Sequence, residues 1–324
     1  MKALVFEEPR HAAVCELDVP TIAADEVLVR SRNVGICHSD FELYEGRYII
    51  PVSYPIIPGH EWSGEVAEVG GAVTTLRSGD RVVGECVVNN GDDHFGFSIS
   101  GADAEYFVAK ASWLHRIPDE LSFSQGAFVE PLSVAYSAAV AAGGIDASDE
   151  VAVIGGGPIG LLCTLVAATM GGAVTLIEPQ AQRRALGREI GARHAIDPTA
   201  GALSEQVAEA TSGRGFDVVI EAAGVPAAMA CAFPIAALGA RVVFVGIDVG
   251  GAAPVEIGLV QSKALQVRGI IGSAGLWPRT IRFMATSGVD PTPLLTATFP
   301  LGKATAALEA ARDTSRHVKV QIEC

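Results

Sequence analysis

The chain is short of charge, and shortest of positive charge. Only 19% of its 324 residues are Asp, Glu, Lys or Arg, and acids outnumber bases 37 to 23, a formal net charge of −14. The pI is near 4.9. A surface of that sign repels phosphate backbones and anionic headgroups, which argues against nucleic acid or a charged membrane as partner. Cysteine is sparse: six residues, at 15, 37, 86, 163, 231 and 324, with no C-x-x-C pair and no disulfide-like spacing. Reduced thiols in a cytoplasm are the expectation. Internal repeats and low-complexity linkers are missing as well. The opening Met-Lys-Ala-Leu-Val-Phe-Glu-Glu-Pro turns acidic too soon for a secretion signal.

What the chain has in quantity is apolar residues, 49% of the total, with a mean hydropathy of +0.36. At this length it should form about two domains, each with a sizeable core. Residues 151–177 carry no charged side chain and are long enough on paper to cross a bilayer. Six glycines and Pro158 cut that stretch into a short β-branched run, a helical run and a second β-branched run. Buried strand–helix–strand is the expected structure, not a membrane span.

From residue 150 the alternation is regular. Strands are expected at Glu150–Gly157, Ala173–Pro179, His194–Asp197, Phe216–Ala223, Ala240–Ile247 and Leu265–Gly272. Helices are expected over 158–171, 181–191, 202–212, 226–238 and 278–287. Continuous apolar strands separated by helices predict an α/β fold with a doubly wound parallel sheet. The first ~120 residues read differently. Short alternating strands such as Glu26–Val34, Gly64–Val69 and Arg81–Glu85, separated by Gly, Pro and Asp turns, predict an antiparallel, barrel-like arrangement. Residues 121–142 read as a helical crossing. The tail from Pro291, with a helix over 303–312 and a strand at Val318–Ile322, should pack back on the first domain.

Gly155-x-Gly157-x-x-Gly160 follows a strand and opens a helix, the context a dinucleotide-binding turn requires. The first glycine permits the tight turn, the second lets backbone approach a pyrophosphate, and the third lets helix and strand pack closely. The helix N-terminus at Pro158, Ile159 and Gly160 supplies the N–H groups of the latter two and the positive dipole end. A glycine-rich turn without a ligand is the bland alternative. Glu178 ends the next strand, placed to accept hydrogen bonds from a ribose diol and to repel a 2′-phosphate, which favours NAD over NADP. Arg183 and Arg184 follow closely and could instead meet that phosphate.

Upstream lie Cys37, His60, Glu61 and Glu130. A catalytic zinc takes three protein ligands and keeps one exchangeable position. Cys37 can give a thiolate, His60 a neutral imidazole, and a carboxylate at Glu61 or Glu130 completes the set. Cys37 and His60 each sit in a glycine-containing phrase, Gly35-Ile36-Cys37-His38-Ser39-Asp40 and Pro58-Gly59-His60-Glu61.

Those phrases, with Gly59-His60-Glu61-Trp62-Ser63-Gly64-Glu65-Val66, Gly79-Asp80-Arg81-Val82 and Glu130-Pro131-Leu132-Ser133-Val134-Ala135, resemble the zinc-containing medium-chain dehydrogenases over nearly the whole chain. Glu130-Pro131-Leu132 is similar to the polyol (sorbitol-like) and threonine dehydrogenase branch. The resemblance implies a GroES-like catalytic domain at 1–132 and 291–324, a Rossmann domain at 133–290, and a homodimer or homotetramer. It further implies Cys37, His60 and one of Glu61 or Glu130 as ligands, the other carboxylate exchanging or bridging through water. The activity implied is hydride transfer between a secondary alcohol (a polyol, sugar acid, cyclitol or hydroxy-amino acid) and NAD, with NADP less favoured. Ser39 would take the alcohol proton and relay it onward. Asp40 is expected as a turn or supporting residue, and His38 either faces the cofactor phosphates or lies on the surface.

One departure stands out. The family usually carries a four-cysteine lobe with a structural zinc after Gly-Asp-Arg-Val. Here only 21 residues separate Val82 from Ala104, and Cys86 is their one cysteine. A single zinc per chain is therefore expected, with Asn89–His94 left as a turn, a solvated loop in preference to a cation-binding tip. Trp62, Phe41 and Tyr44 suit either an aromatic pocket or core packing. Two rival readings remain: a zinc-free NAD(P)H reductase on this scaffold, and a non-catalytic NAD-binding protein.

Overall fold

In the computed structural model, which describes residues 1–47, 52–247, 250–273 and 275–324, the alternation beyond residue 150 becomes a six-stranded parallel sheet. Its strands are Glu150–Ile154, Ala173–Ile177, His194–Ile196, Phe216–Glu221, Ala236–Phe244 and Gln266–Gly269. Spatially the His194–Ile196 strand is at one edge, followed by Ala173–Ile177, Glu150–Ile154, Phe216–Glu221, Ala236–Phe244 and Gln266–Gly269. The inner strands read Val-Ala-Val-Ile and Val-Val-Ile because both of their faces are covered, and Val151, Val153, Val218 and Ile220 have no exposed surface. Helices Pro158–Thr169, Ala181–Glu189, Leu203–Thr211 and Pro226–Ile235 intervene between successive strands. Chain order reverses between Glu150–Ile154 and Phe216–Glu221, the place where open α/β sheets form a ligand crevice.

Two elements differ from expectation. The helix expected to reach residue 238 stops at Ile235, and a strand begins at once at Ala236. Pro234 sits in its last turn, and the Lys263 ammonium donates to the carbonyls of Phe233, Pro234 and Ala236 at 3.2, 2.8 and 2.7 Å. That side chain supplies the partners that more helix would have given. The sixth strand is shorter than Leu265–Gly272 and exposed at every position, because it is the sheet edge. No helix among the described residues is long and apolar enough to cross a membrane, and the uncharged run 151–177 is strand, twelve-residue helix and strand.

The N-terminal part is antiparallel. Its central strand, Glu26–Gly35, pairs with Glu61–Val69, Tyr106–Lys110 and the C-terminal strand Lys319–Glu323. Arg81–Gly84 and Leu114–Arg116 extend the sheet on one side, and Leu295–Pro300 lies parallel to Lys319–Glu323 on the other. The register sets Gln321 opposite Gly35, so the chain's last strand runs beside the turn that carries Cys37. Val87–Val88 and Asp93–His94 pair across the Asn89–Gly91 turn, where Asn89 Nδ2 donates to Asp93 Oδ2 at 2.6 Å. The chain divides into two compact units: 1–130, 277–285 and 295–324 form one, and 131–276 with 286–294 the other.

Candidate metal centre and dinucleotide turn

In the first unit, Cys37 caps the helix His38–Tyr44 with extended backbone (φ −105°, ψ 160°). Asp40, in the first turn, accepts the Cys37 N–H through Oδ2 at 2.8 Å, and its Oδ1 faces His60 Nδ1 at 3.4 Å. His60 follows a turn in which Gly59 has φ +95°. A Cβ there would lie 2.9 Å from both Asp103 and Val34. Glu61 opens the next strand. Its carboxylate fills the space beside Gly35, where a Cβ would come within 2.3 Å of Oε2. Ligand-type atoms of Cys37, His60 and Glu61 thus lie within 4.8 Å of one another, the one such group among the described residues.

A thiolate, an imidazole and a carboxylate at that spacing suit zinc. His60 Nδ1 and Asp40 Oδ1 are buried and make no hydrogen bond of good geometry among the described residues. Burial disfavours the His60 imidazolium, but the Asp40 carboxylate and Cys37 outweigh it and hold His60 well above its ordinary value. Protons and a metal therefore compete for the same ring.

Glu130, in the first turn of the helix Val129–Ala141, stands outside the 4.8 Å group. Burial pushes its carboxyl up to about 7, reinforced by the Glu61 charge and opposed by His60 and Lys319. Ser39 is half-buried on the first helical turn. His38 is on the surface, 85% exposed and 3.7 Å from Glu42. The aromatic residues are core: Trp62 packs on Phe95 and Phe107, Tyr44 on Phe6, and Phe41 belongs to the same cluster as Phe6.

Sequence reasoning missed Lys319. It is buried, and its Nζ donates to Glu61 Oε2 at 2.5 Å and to the Ile36 carbonyl at 3.1 Å. A carboxylate as buried as Glu61 needs a counter-charge, and the final strand supplies it. The available signal was a lysine between valines in an apolar strand, Val318-Lys319-Val320. Also missed was the segment 97–102, which clasps the histidine turn. Ala102 N–H donates to the Gly59 carbonyl at 2.9 Å and Gly101 N–H to Ile57 at 2.7 Å. The Phe97 ring centre lies 4.5 Å from that of His60.

In the second unit, the three glycines of the turn differ in what surrounds them. Gly155 has φ +97°, and Gly160 packs so closely that a Cβ would meet the Gly155 carbonyl at 1.9 Å. Gly157 caps the helix and faces open space, leaving its backbone approachable. Pro158 and Ile159 form the first helical turn. Glu178, at the end of its strand, accepts Gly156 N–H at 2.6 Å and Gln180 N–H at 2.8 Å. Arg184, weighed above as a partner for a 2′-phosphate, is engaged elsewhere. It donates to the carbonyls of Glu178 and Pro179 and pairs with Asp197 at 3.0 Å. Arg183 is buried on the same helix.

Comparison with known proteins agrees with both halves. Residues 23–119 match the alcohol dehydrogenase GroES-like domain, and residues 158–286 match the zinc-binding dehydrogenase domain. The chain is 32% identical to a sorbitol dehydrogenase of Bacillus subtilis, over 96% of this chain and 93% of that one. Among solved structures it is similar to 2R,3R-butanediol dehydrogenase from Bacillus subtilis, with a TM-score of 0.93 at 29% identity over 100% of this chain and 99% of that one. A zinc-binding dehydrogenase from Sinorhizobium meliloti 1021 bound to NADP gives a TM-score of 0.92, also at 29% identity, over 100% and 99% of the two chains. The chain belongs to the zinc-binding medium-chain alcohol dehydrogenases and is an oxidoreductase acting on CH–OH groups with a nicotinamide dinucleotide.

Proposed function

We propose that the protein transfers hydride between a secondary alcohol of the polyol, sugar-acid, cyclitol or hydroxy-amino-acid class and NAD, using one zinc per chain. The observation that carries this reading is the group of half-buried Cys37 with buried His60 and Glu61, Lys319 balancing its carboxylate. Cys37, His60 and Glu61 would hold the ion, and Glu130 is the further carboxylate, its raised proton affinity suited to exchange with the ligand set. Bound zinc would supply a Lewis acid for the alcohol oxygen, and bound nicotinamide the hydride acceptor. The Asp40 carboxylate, 3.4 Å from Nδ1, would hold the His60 ring by its charge and leave Nε2 for the metal. Ser39, two residues beyond Cys37, would take the alcohol proton while passing its own hydroxyl proton onward towards solvent. Glu178, Gly155, Gly157, Pro158, Ile159 and Gly160 form the dinucleotide site, with Arg183 at its margin.

Preference for NAD is supported by Glu178 at the strand end and by the engagement of Arg184 with Asp197. The polyol class is supported by the sorbitol and butanediol dehydrogenases among the relatives. Exposed Val267, Ile257 and Ile271, on and near the edge strand Gln266–Gly269, support self-association as a homodimer or homotetramer. Reduced, unpaired cysteines suit a cytoplasmic setting. The test is elemental analysis followed by a panel of secondary alcohols assayed with NAD and NADP. One zinc per chain and turnover of at least one polyol with NAD is expected. Zinc-free protein with full activity, or zinc-loaded protein that turns over none of the panel, would sink the proposal.

A further inference from the structure

At the carboxyl end of the parallel sheet, three backbone segments of the second unit lie in near contact: the glycine turn at 155–157, the turn at 222–224 and the segment at 245–247. A Cβ on Gly155 would lie 2.8 Å from the Ala223 backbone. One on Gly246 would lie 2.3 Å from Gly224 N, and one on Gly224 3.0 Å from Ile247 N. The middle turn is therefore wedged between the other two.

Glu221 ends the strand Phe216–Glu221 and has no exposed surface. It bonds the wedge itself and one of its two neighbours, the segment at 245–247. Oε1 accepts N–H bonds from Ala223 at 2.8 Å and Gly224 at 3.0 Å. Its main-chain carbonyl accepts N–H bonds from Val245 at 2.8 Å and Gly246 at 3.1 Å. Oε2 is buried against Gly246, where a Cβ would stand 2.6 Å away, and has no hydrogen-bond partner among the described residues. The neighbouring strand ends at Ile154, paired with Glu221 in the sheet and one residue before the glycine turn.

We infer that Glu221 is a positioning residue for the dinucleotide: its carboxylate presets the 222–224 turn against the glycine turn and against 245–247 before the cofactor arrives. The inference rests on reading Gly155–Gly160 as the dinucleotide site. Filling space would be done as well by an apolar side chain, and at lower cost, since a buried acceptor with half its capacity unused is unfavourable. An acceptor that gathers two consecutive N–H groups fixes the course of the turn, and a turn fixed in advance spares the cofactor the entropy of ordering it.

The test uses the zinc-loaded protein and NADH binding followed by nucleotide fluorescence. Glu221→Gln keeps an acceptor at Oε1, and Glu221→Met keeps the length but removes it. The glutamine variant should bind NADH within about threefold of the parent and the methionine variant about tenfold more weakly or worse, the loss of two charge-assisted hydrogen bonds. Zinc content and the KM for alcohol should not change. Equal NADH affinity in the methionine variant overturns the inference. A parent that binds neither NADH nor NADPH overturns the cofactor reading itself. Should the methionine variant fail to fold, hydrogen exchange in the parent decides. Ala223 and Gly224 amides should exchange slowly without cofactor and change little on its addition; fast exchange that slows only with NADH overturns the inference.

Discussion

Glu61 shows how little of a buried charge is optional. Lys319 is its counter-ion, and both are almost wholly enclosed. Lys319→Met should therefore destabilise the metal-free protein by about 3–5 kcal/mol, the usual cost of leaving half a buried pair. Zinc places positive charge beside the same carboxylate, so the loss should shrink in the zinc-loaded protein. Urea denaturation of both forms measures the difference, and an equal loss in the two would show that Glu61 does not face the metal. Protons act on the same cluster. His60 and Glu130 both hold protons more tightly in the folded metal-free chain than in the unfolded one. A group with a raised folded value favours folding at low pH, and that contribution fades as pH climbs through its folded value. The window runs from the ordinary carboxylate range through about 7 for Glu130 and continues above the ordinary histidine value for His60. The urea midpoint of metal-free protein should fall from pH 6 to pH 8.5, while zinc affinity rises. On the dinucleotide side, Glu178→Ala should weaken NAD and ease NADP, a change of about 1.5–3 kcal/mol in relative preference. The comparison is kcat/KM for both cofactors in parent and variant; a parent that already prefers NADP refutes the role given to Glu178.

Elements explain which residues could be read in advance. The parallel strands were legible because burial on both faces forces unbroken β-branched runs, and Gly155–Pro158 and Gly171–Gly172 mark their ends. Cys37, His60 and Glu61 were legible as a group because each lies within two residues of a glycine whose missing side chain leaves room: Gly35 for the Glu61 carboxylate, Gly59 for Asp103. Lys319 was not, since a lysine in an alternating strand reads as a solvated face until the strand's neighbours are known. Nor was the end of the Pro226–Ile235 helix, because Lys263 caps it from another element. The segment that clasps the histidine turn carries its own prediction. A Cβ at Gly101 would lie 2.4 Å from the Gly59 carbonyl and 2.5 Å from that of Pro58, whereas one at Gly71 meets nothing within 4 Å. Gly101→Ala should cost about 1–3 kcal/mol by overpacking and should speed zinc loss to a chelator by displacing His60. Gly71→Ala is the control expected to change neither. Unaltered zinc retention in Gly101→Ala would show that the clasp does not set the histidine.

At the scale of the whole molecule, the exposed edge of the parallel sheet is the feature that a lone chain leaves uncovered. Ile271 and Ile257 are 79% and 67% exposed, and the strand Gln266–Gly269 is paired on one side only among the described residues. Ile271→Asp should shift the protein to a smaller species by light scattering while sparing zinc content, and an unchanged mass would place the contact elsewhere. The pairing of Glu61 with Lys319 has a different kind of consequence, one of timing. Its partners are 258 positions apart in the chain, and the unit that holds them is interrupted by residues 131–276. At a synthesis rate of roughly 5–20 residues per second, Glu61 waits on the order of tens of seconds for its counter-ion to be made. The second unit leaves the ribosome complete in a nearly continuous stretch, whereas the first cannot close its sheet until Lys319–Glu323 arrives. The half of the molecule whose strands start to appear first is thus the half that closes its sheet last, and Cys37, His60 and Glu61 gain their counter-charge only once Lys319–Glu323 has been made.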